Sequence, residues 1–521
     1  GRPVSARAAG RKLRVLLWYR GAISLGVEYV SAALKAAGHE TELLYEPGAD
    51  NSFYYRWEAM KPLNRHDKLV RRALAFKPDL IAMGAVTNIY PYACEMAARL
   101  KGALPEVPIV IGGIHATSVP EYVIENPHFD VVARGECDDA IVELADRMAR
   151  GERYWDVKNF WFKADGAVVK NELRPPIEDL DRLPYPDKDL FRRVGAFGEM
   201  LYILGGRGCP YKCTFCESHM VEGFYHATGD KFTRRRDPVQ VVEECNHWLD
   251  RFGRRFKMFY FVDGSINYDL PWFKEFLKVY RDHCRFPFLS LTYANEMDEE
   301  TARLMREAGC IRTVVGMESG SERMRNDVLK KGVTNDQLRR AVRMIQGAGV
   351  DVQITAMFGL PGETPAEMFE TLDMVRDLRP SLVTAYTLYP YMNTGVQRQL
   401  REEGLLDEKS VELARRGESS CFEEGILYRH PHIRQAMVFT KLITQYNAAP
   451  FWLKPVIRRL IALNRPTLSR WIHLATTPLL CKTTGLAQVK DFLRSIWLAS
   501  FGYPEIPQRL PGETGKEAAH A

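Results

Sequence analysis

Short apolar runs separated by helical stretches recur in two series along this chain, and that alternation limits the folds it can adopt. The first series lies within residues 13–150, with strands expected at 14–19, 41–45, 80–86, 109–111 and 130–133. The helical stretch 26–37 stops at Gly38, a C-cap residue. The second series lies within 200–391, with strands expected at 201–205, 258–262, 288–293, 313–317, 352–358 and 382–388. Strands that alternate with helices pair in parallel and bury both faces of the sheet. The first series predicts a doubly wound α/β domain, and the second a partial (β/α)6 barrel. In both architectures a ligand sits beyond the carboxyl ends of the strands. Residues 151–199 read as a linker, broken by Pro175-Pro176 and Leu183-Pro184-Tyr185-Pro186. Residues 1–12 read as a loose basic tail, and 392–521 as a mostly helical C-terminal region with a polar, acid-rich surface segment at 399–424.

The cysteines give the second series its chemistry. Cys209, Cys213 and Cys216 form C-x3-C-x2-C directly after its first strand. Thiolates hold iron–sulfur clusters, and three ligands on a four-iron cube leave one iron open to a small molecule. Zinc held by the same three residues and His219 is the alternative. A disulfide leaves one thiol over. The other seven, Cys94, Cys137, Cys245, Cys284, Cys310, Cys421 and Cys481, are scattered and read as buried apolar residues. Free thiols point to a reducing, cytoplasmic compartment. The first twelve residues carry four basic side chains and no apolar core, which does not read as a signal peptide. No uncharged apolar run reaches the roughly 18–20 residues that span a bilayer.

The cysteine segment, with Phe215 before its last cysteine, resembles the radical S-adenosylmethionine (SAM) superfamily. That resemblance implies a [4Fe-4S] cluster on Cys209, Cys213 and Cys216 whose open iron chelates SAM. Reduction by a donor such as flavodoxin or ferredoxin would then yield a 5′-deoxyadenosyl radical that takes hydrogen from an unactivated carbon. The stretch Gly316-Met317-Glu318-Ser319-Gly320 matches the family's contact to SAM ribose and carboxylate, and Gly359-Leu360-Pro361-Gly362-Glu363-Thr364 matches the adenine side. Phe215, Glu318, Ser319, Gly362 and Glu363 are therefore the expected SAM residues. Arg323 is either a partner of the SAM carboxylate or a surface residue. Pro390-Tyr391-Met392-Asn393-Thr394 departs from the family's P-x-P-G-T and leaves the substrate open.

The first series resembles the Rossmann-like cobalamin-binding domain that precedes the barrel in one radical SAM class. The matching parts are Ser24-Leu25-Gly26, 35–40 (K-A-A-G-H-E), Gly112-Gly113-Ile114-His115 and Arg134-Gly135-Glu136. The resemblance implies cobalamin contacts from Ser24, Leu25, Gly26, Thr87, Asn88, Gly112, Gly113, His115, Thr117, Gly135 and Glu136. Thr87 and Asn88 would lie near the corrin, and Gly112 to Thr117 near the nucleotide tail. The D-x-H-x-x-G motif of cobalamin mutases is absent, so no lower axial histidine is marked, and His115 is expected in a backbone or supporting role. Relatives of this class are mostly methylases. The class B methylase reading therefore leads: cobalamin-dependent methyl transfer to a small-molecule or lipid substrate. The anaerobic magnesium-protoporphyrin ester cyclases and hopanoid-pathway enzymes share the domain order, so cyclisation or rearrangement is the alternative. A non-catalytic iron–sulfur or zinc module is the remote one.

Two charged features stand outside these motifs. Arg234-Arg235-Arg236 reads as a solvated turn with one acid partner, or as an anion site. Between 434 and 500 there are ten Lys or Arg and only Asp491 as an acid, interleaved with aromatics and aliphatics. That pattern is expected either as a helical lid with solvated charges, as a peripheral membrane-surface contact, or as a clamp for an anionic substrate. No interleaved aromatic–basic stripe points to nucleic acid.

Overall fold

The computed structural model describes residues 11–48, 51–52, 55–56, 58–196, 198–226, 231–418 and 428–480. Cys421 and Cys481, most of the basic tail and part of the acid-rich segment lie outside these residues. Of the scattered cysteines that are described, Cys245 and Cys310 are buried, and Cys94, Cys137 and Cys284 are partly so.

Five parallel strands build the first domain: β1 (Arg14–Arg20), β2 (Glu40–Glu46), β3 (Leu80–Gly84), β4 (Ile109–Gly112) and β5 (Val131–Ala133). Their order is β2-β1-β3-β4-β5, which puts the topological switch point between β1 and β3. The sheet does not stop there. β6 (Phe160–Ala164) pairs antiparallel with β5, and β7 (Ala167–Lys170) returns along it. The segment expected to be a linker thus contributes two strands. The cause is local: Phe160, Trp161 and Phe162 are buried, and Asp165 and Gly166 take φ of 50° and 78°. Two successive positive φ values make the tight turn that matches hairpin twist.

Six strands form the second sheet: β8 (Met200–Ile203), β9 (Met258–Phe261), β10 (Phe288–Thr292), β11 (Cys310–Glu318), β12 (Asp351–Phe358) and β13 (Leu382–Thr387). They pair in chain order and all in parallel, as an open barrel does. Alternate residues face the outer helices; Phe261, Phe276, Tyr280 and Phe288 pack edge to face there. The intervening residues, including Tyr202, Tyr260, Leu289, Gln353 and Tyr386, are only partly buried and line the inner face. Both open edges are covered, which removes unpaired strand backbone from solvent. Lys188 donates to the Tyr202 carbonyl at 2.7 Å on the β8 side. On the β13 side the helix Ile433–Ala448 docks, with Thr444 bonded to the Val383 carbonyl at 3.1 Å. One continuous apolar core runs from the first domain into the barrel mouth through Met324, Met357, Leu388 and Met392.

Candidate functional site at the facing strand ends

The three cysteines sit on the loop that leaves β8, beyond its carboxyl end. Thr214, between Cys213 and Cys216, fixes that loop. Its N–H donates to the Leu329 carbonyl at 3.0 Å and its hydroxyl to the Val328 carbonyl at 2.9 Å, and its carbonyl accepts from Val396 at 2.9 Å. Phe215 packs into the shared core. Burial pushes all three thiols up, Cys216 to about 11. The Cys216 N–H donates to the Cys213 carbonyl at 3.1 Å, which folds the cysteine loop into a turn, and Lys331 opposes the rise at Cys209 and Cys213. His219 is turned to a neighbouring acid. Its Nδ1 lies 3.2 Å from Glu222, and among the described residues no three metal-ligating side chains come close enough to share one ion. A tetrahedral zinc holds its ligand atoms about 3.8 Å apart, as bond lengths of about 2.3 Å require. Thiol ligands on the corners of an iron–sulfur cube stand wider, and an all-thiol set is the donor chemistry it takes.

A polar group that sequence reasoning missed adjoins this loop. Tyr211 stacks on Tyr293 at 3.6 Å, and the Tyr293 hydroxyl lies 4.0 Å from the Cys213 sulfur and donates to the Lys331 carbonyl. The Lys331 ammonium sits 4.5 Å over the Tyr293 ring and 3.4 Å from Glu318. Glu318 has φ of 65°, where β11 is bulged between Gly316 and Glu318. A strained non-glycine residue at a strand end is a common mark of a functional position. No pattern in the sequence singles out Lys331 or Tyr293, because only the barrel brings them together.

The other expected SAM residues separate. Ser319 is fully buried, its hydroxyl 3.4 Å from that of Thr371 and accepting from the Ser321 N–H at 3.2 Å. Glu363 turns into its own loop and accepts from Gly359 and Leu360 at 2.7 and 3.1 Å, and burial lifts it to about 8. Ser319 and one oxygen of Glu363 are thus bonded within the protein, while the other Glu363 oxygen is buried without a hydrogen-bond partner among the described residues. Gly362 accepts from Arg323 at 3.1 Å, and Arg323 otherwise pairs with Glu367 at 2.9 Å on the surface.

On the first domain, Ser24, Leu25, Gly26, Asn88, Gly112 and Gly113 lie at or after the carboxyl ends of strands β1, β3 and β4. Ser24 caps the helix Leu25–Ala36, its hydroxyl accepting from Val27 at 3.4 Å, and Leu25 and Gly26 open that helix beside the switch point. Gly113, beyond β4, is exposed at φ of 104°, and any Cβ there would stand 2.5 Å from the Ala85 carbonyl. Gly112 and half-buried Asn88 flank it. An open, glycine-lined strand edge fits a large planar cofactor. His115 does not reach that opening. It is fully buried, 4.3 Å from the Tyr90 ring and 3.3 Å from the Thr87 hydroxyl, and burial lowers it to about 4, so it is neutral. Thr87 is itself covered, because the helix Glu408–Arg416 ends against its backbone at Gly417. Val411 and Ala414 are buried in that contact, so this part of the acid-rich segment is packed rather than solvated.

Thr117, Gly135 and Glu136 lie where the first domain meets the barrel. Thr117 bridges the Gly113 carbonyl at 2.9 Å and the Gly135 N–H at 3.1 Å. The Glu136 N–H donates to the hydroxyl of Tyr225 at 2.9 Å, and Tyr225 lies on the helix that follows Cys216. The Glu136 carboxylate accepts from Arg234 and from the Ile177 N–H. Asp138 takes two bonds from Arg207, at 2.8 and 3.0 Å, two residues before Cys209. Asn393, beyond β13, donates to the Ser118 carbonyl at 2.5 Å. Glu136 is thus part of an ion clasp. The arginine triplet is likewise internal: Arg234 pairs with Glu136, Arg235 with Asp263 at 2.9 Å, and Arg236 with Glu244. All three are largely buried and none offers an anion site.

The strand ends of two parallel sheets thus face each other, one glycine-lined and the other bearing three cysteines. Known families divide the chain at the same places. The profile of the B12 binding domain matches residues 21–145, and that of the radical SAM superfamily matches 203–375. The chain thus carries a B12 binding domain followed by a radical SAM domain, the domain pair of the cobalamin-binding radical SAM enzymes. It is 27% identical over 395 residues to an anaerobic magnesium-protoporphyrin IX monomethyl ester cyclase of Cereibacter sphaeroides, covering 72% of this chain and 60% of that protein's length. It is 23% identical over 441 residues to the cytidylyl-2-hydroxyethylphosphonate methyltransferase of Streptomyces wedmorensis, covering 74% and 78%. The fold resembles the radical SAM methyltransferase TsrM of Kitasatospora setae, solved with cobalamin and a [4Fe-4S] cluster, with a TM-score of 0.61 at 17% identity over 88% of this chain and all of that one.

Proposed function

We propose that this enzyme transfers a methyl group to an unactivated carbon of a small-molecule or lipid substrate held between its two domains. The observation that carries this reading is the clasp: Asp138 on Arg207, Tyr225 on Glu136 and Asn393 on Ser118 hold the cysteine loop against the carboxyl edge of the B12 binding domain. In this reading Cys209, Cys213 and Cys216 hold a [4Fe-4S] cluster, and Gly112, Gly113, Asn88 and the Ser24–Gly26 turn border the cobalamin. When bound, the cluster and SAM supply a hydrogen-abstracting radical, cobalamin supplies a methyl group, and a donor such as flavodoxin or ferredoxin supplies the electron. Glu318 and Lys331 meet SAM beside the cysteines, where Lys331 favours the thiolate form and Glu318 accepts hydrogen bonds. The shared apolar core closes the mouth through Phe215, Met324, Met357 and Met392 and limits water at the reacting carbon.

The cyclase relative favours a second reading, in which hydrogen abstraction leads to cyclisation or rearrangement of a porphyrin or hopanoid-like lipid without methyl transfer. One experiment separates them. Protein purified without oxygen and reconstituted with iron, sulfide and hydroxocobalamin is given SAM and reductant. 5′-Deoxyadenosine with S-adenosylhomocysteine and methylated cobalamin supports the methylase. Deoxyadenosine with unmethylated cobalamin supports the second reading, and no SAM cleavage by an intact cluster overturns both.

A further inference from the structure

Beyond the barrel, two helices present apolar side chains outward. Phe451 is 84% exposed, Trp452 65%, Val456 49%, Leu463 60%, Leu468 46% and Trp471 67%. The other exposed large hydrophobics among the described residues, Leu74, Val168, Val239 and Ile311, are scattered singly. Single exposed apolar residues are ordinary, whereas a contiguous group marks a binding surface. The spacing puts these side chains on one face of each helix. On Lys454–Ala462 and its flanks, Trp452, Val456, Arg459 and Leu463 follow one another by four, three and four residues. On Pro466–Leu480, Leu468, Trp471 and Ala475 do so by three and four.

The opposite face is already used. Ile457 and Ile461 are buried in the barrel-side core, Gln435 donates to the Ile461 carbonyl at 2.9 Å, and Arg458 pairs with Asp373 of the barrel at 2.7 and 3.3 Å. The outward face therefore belongs to a docked helix rather than to one awaiting a core.

Charge selects the occupant. Residues 434–480 include Arg434, Lys441, Lys454, Arg458, Arg459, Arg465 and Arg470 and contain no Asp or Glu. A second copy of this face would oppose cations to cations, which costs affinity. An anionic lipid surface matches both halves of the pattern: basic side chains meet headgroups while Trp and Phe lie at the interfacial level. Among the described residues no helix is long and apolar enough to cross a membrane, so the contact is with the surface. We infer that the face formed by Phe451, Trp452, Val456, Leu463, Leu468 and Trp471, with Arg459 among them, docks this enzyme on an anionic lipid surface.

The test is flotation of the full-length, cofactor-loaded protein with phosphatidylcholine vesicles, with and without phosphatidylglycerol. Binding should be about tenfold stronger with the anionic lipid and should weaken with salt. The Trp452→Glu/Trp471→Glu double variant should lose that binding about tenfold while iron and cobalamin contents stay unchanged, since both side chains are exposed. Arg459→Gln should weaken anionic binding alone. No preference between the vesicles, or binding untouched by the double variant, would overturn the inference. A dimer seen by light scattering that the double variant dissociates, without vesicle binding, would instead assign the face to a second copy.

Discussion

Replacing Asp138 by Asn removes the acid that ties the cysteine loop to the first domain, and the geometry sets the size of the effect. Asp138 is 5% exposed and takes two bonds from Arg207, at 2.8 and 3.0 Å. Burial pushes the carboxyl up, and the Arg207 guanidinium overcomes this and holds it below its ordinary value. Removing one partner of a buried ion pair costs about 3–5 kcal/mol, against about 0–1 kcal/mol for an exposed pair. Arg207 retains Glu136 at 3.5 Å and the Tyr29 ring at 4.9 Å, which soften the loss. The expected destabilisation is therefore about 2–3 kcal/mol.

Urea denaturation of the metal-free protein measures it, in a double-mutant cycle of Asp138→Asn with Arg207→Met. The coupling should be about 2 kcal/mol and nearly insensitive to salt, because buried pairs are weakly screened. A coupling under about 0.5 kcal/mol, or one that fades with salt, would refute the clasp. The pH dependence follows from the depressed carboxyl. Its contribution is fully present above the unfolded value of about 4 and is lost as pH falls through the lower folded value. Stability that rises toward acid on account of this pair would contradict the assignment. If the proposed function holds, the variant also makes deoxyadenosine with less methylated product, since the two cofactor sites lose their fixed relation.

Three further outcomes test the site. Cys209→Ala, Cys213→Ala and Cys216→Ala should each abolish the visible absorption of the reconstituted cluster and SAM cleavage while cobalamin still binds; retained iron in any of them would remove that cysteine from the ligand set. Gly135→Ala should destabilise the protein by about 2–4 kcal/mol, because the new Cβ would lie 2.1 Å from the Tyr225 hydroxyl at φ of 66°, and Tyr225→Phe should recover part of that loss in thermal unfolding. Ser319→Ala should cost about 1 kcal/mol of stability and leave SAM affinity unchanged, whereas Glu318→Gln should weaken SAM binding severalfold in equilibrium dialysis; equal effects on affinity would return Ser319 to the ligand contacts.

Strand positions and the placement of the cysteine loop were legible because each rests on local pattern. Apolar runs of strand length between amphipathic helices locate β8 to β13 to within a few residues, and the loop after β8 follows from its position in sequence. The hairpin of β6 and β7 carried a signal as well, Asp165-Gly166 between Phe160-Trp161-Phe162 and Val168-Val169, but the prolines around it masked that signal. Side-chain direction was not legible. Ser319 and Glu363 lie in stretches matching SAM contacts, yet whether a hydroxyl or carboxylate faces a ligand or its own loop depends on Thr371, Gly359 and Leu360, which sequence spacing does not orient. Lys331 and Tyr293 are separated from the cysteines by many residues and meet them only through the barrel.

The same dependence explains why Glu136 and Gly135 matter to the cysteine loop. The cysteine loop is held at three points that belong to different parts of the chain: Arg207 to Asp138 of the first domain, Thr214 to Leu329 after β11, and Thr214 to Val396 after β13. The helix leaving the loop is held a fourth time, where Gly135 leaves room for the Tyr225 hydroxyl that accepts from Glu136. A rigid-body shift between the domains would stretch the first and fourth contacts while leaving the others intact, so the loop would have to deform. Domain placement and loop geometry are therefore one structural variable. A site that must serve two cofactors on opposite walls needs that property, because errors of about an ångström between reacting groups cost catalysis heavily.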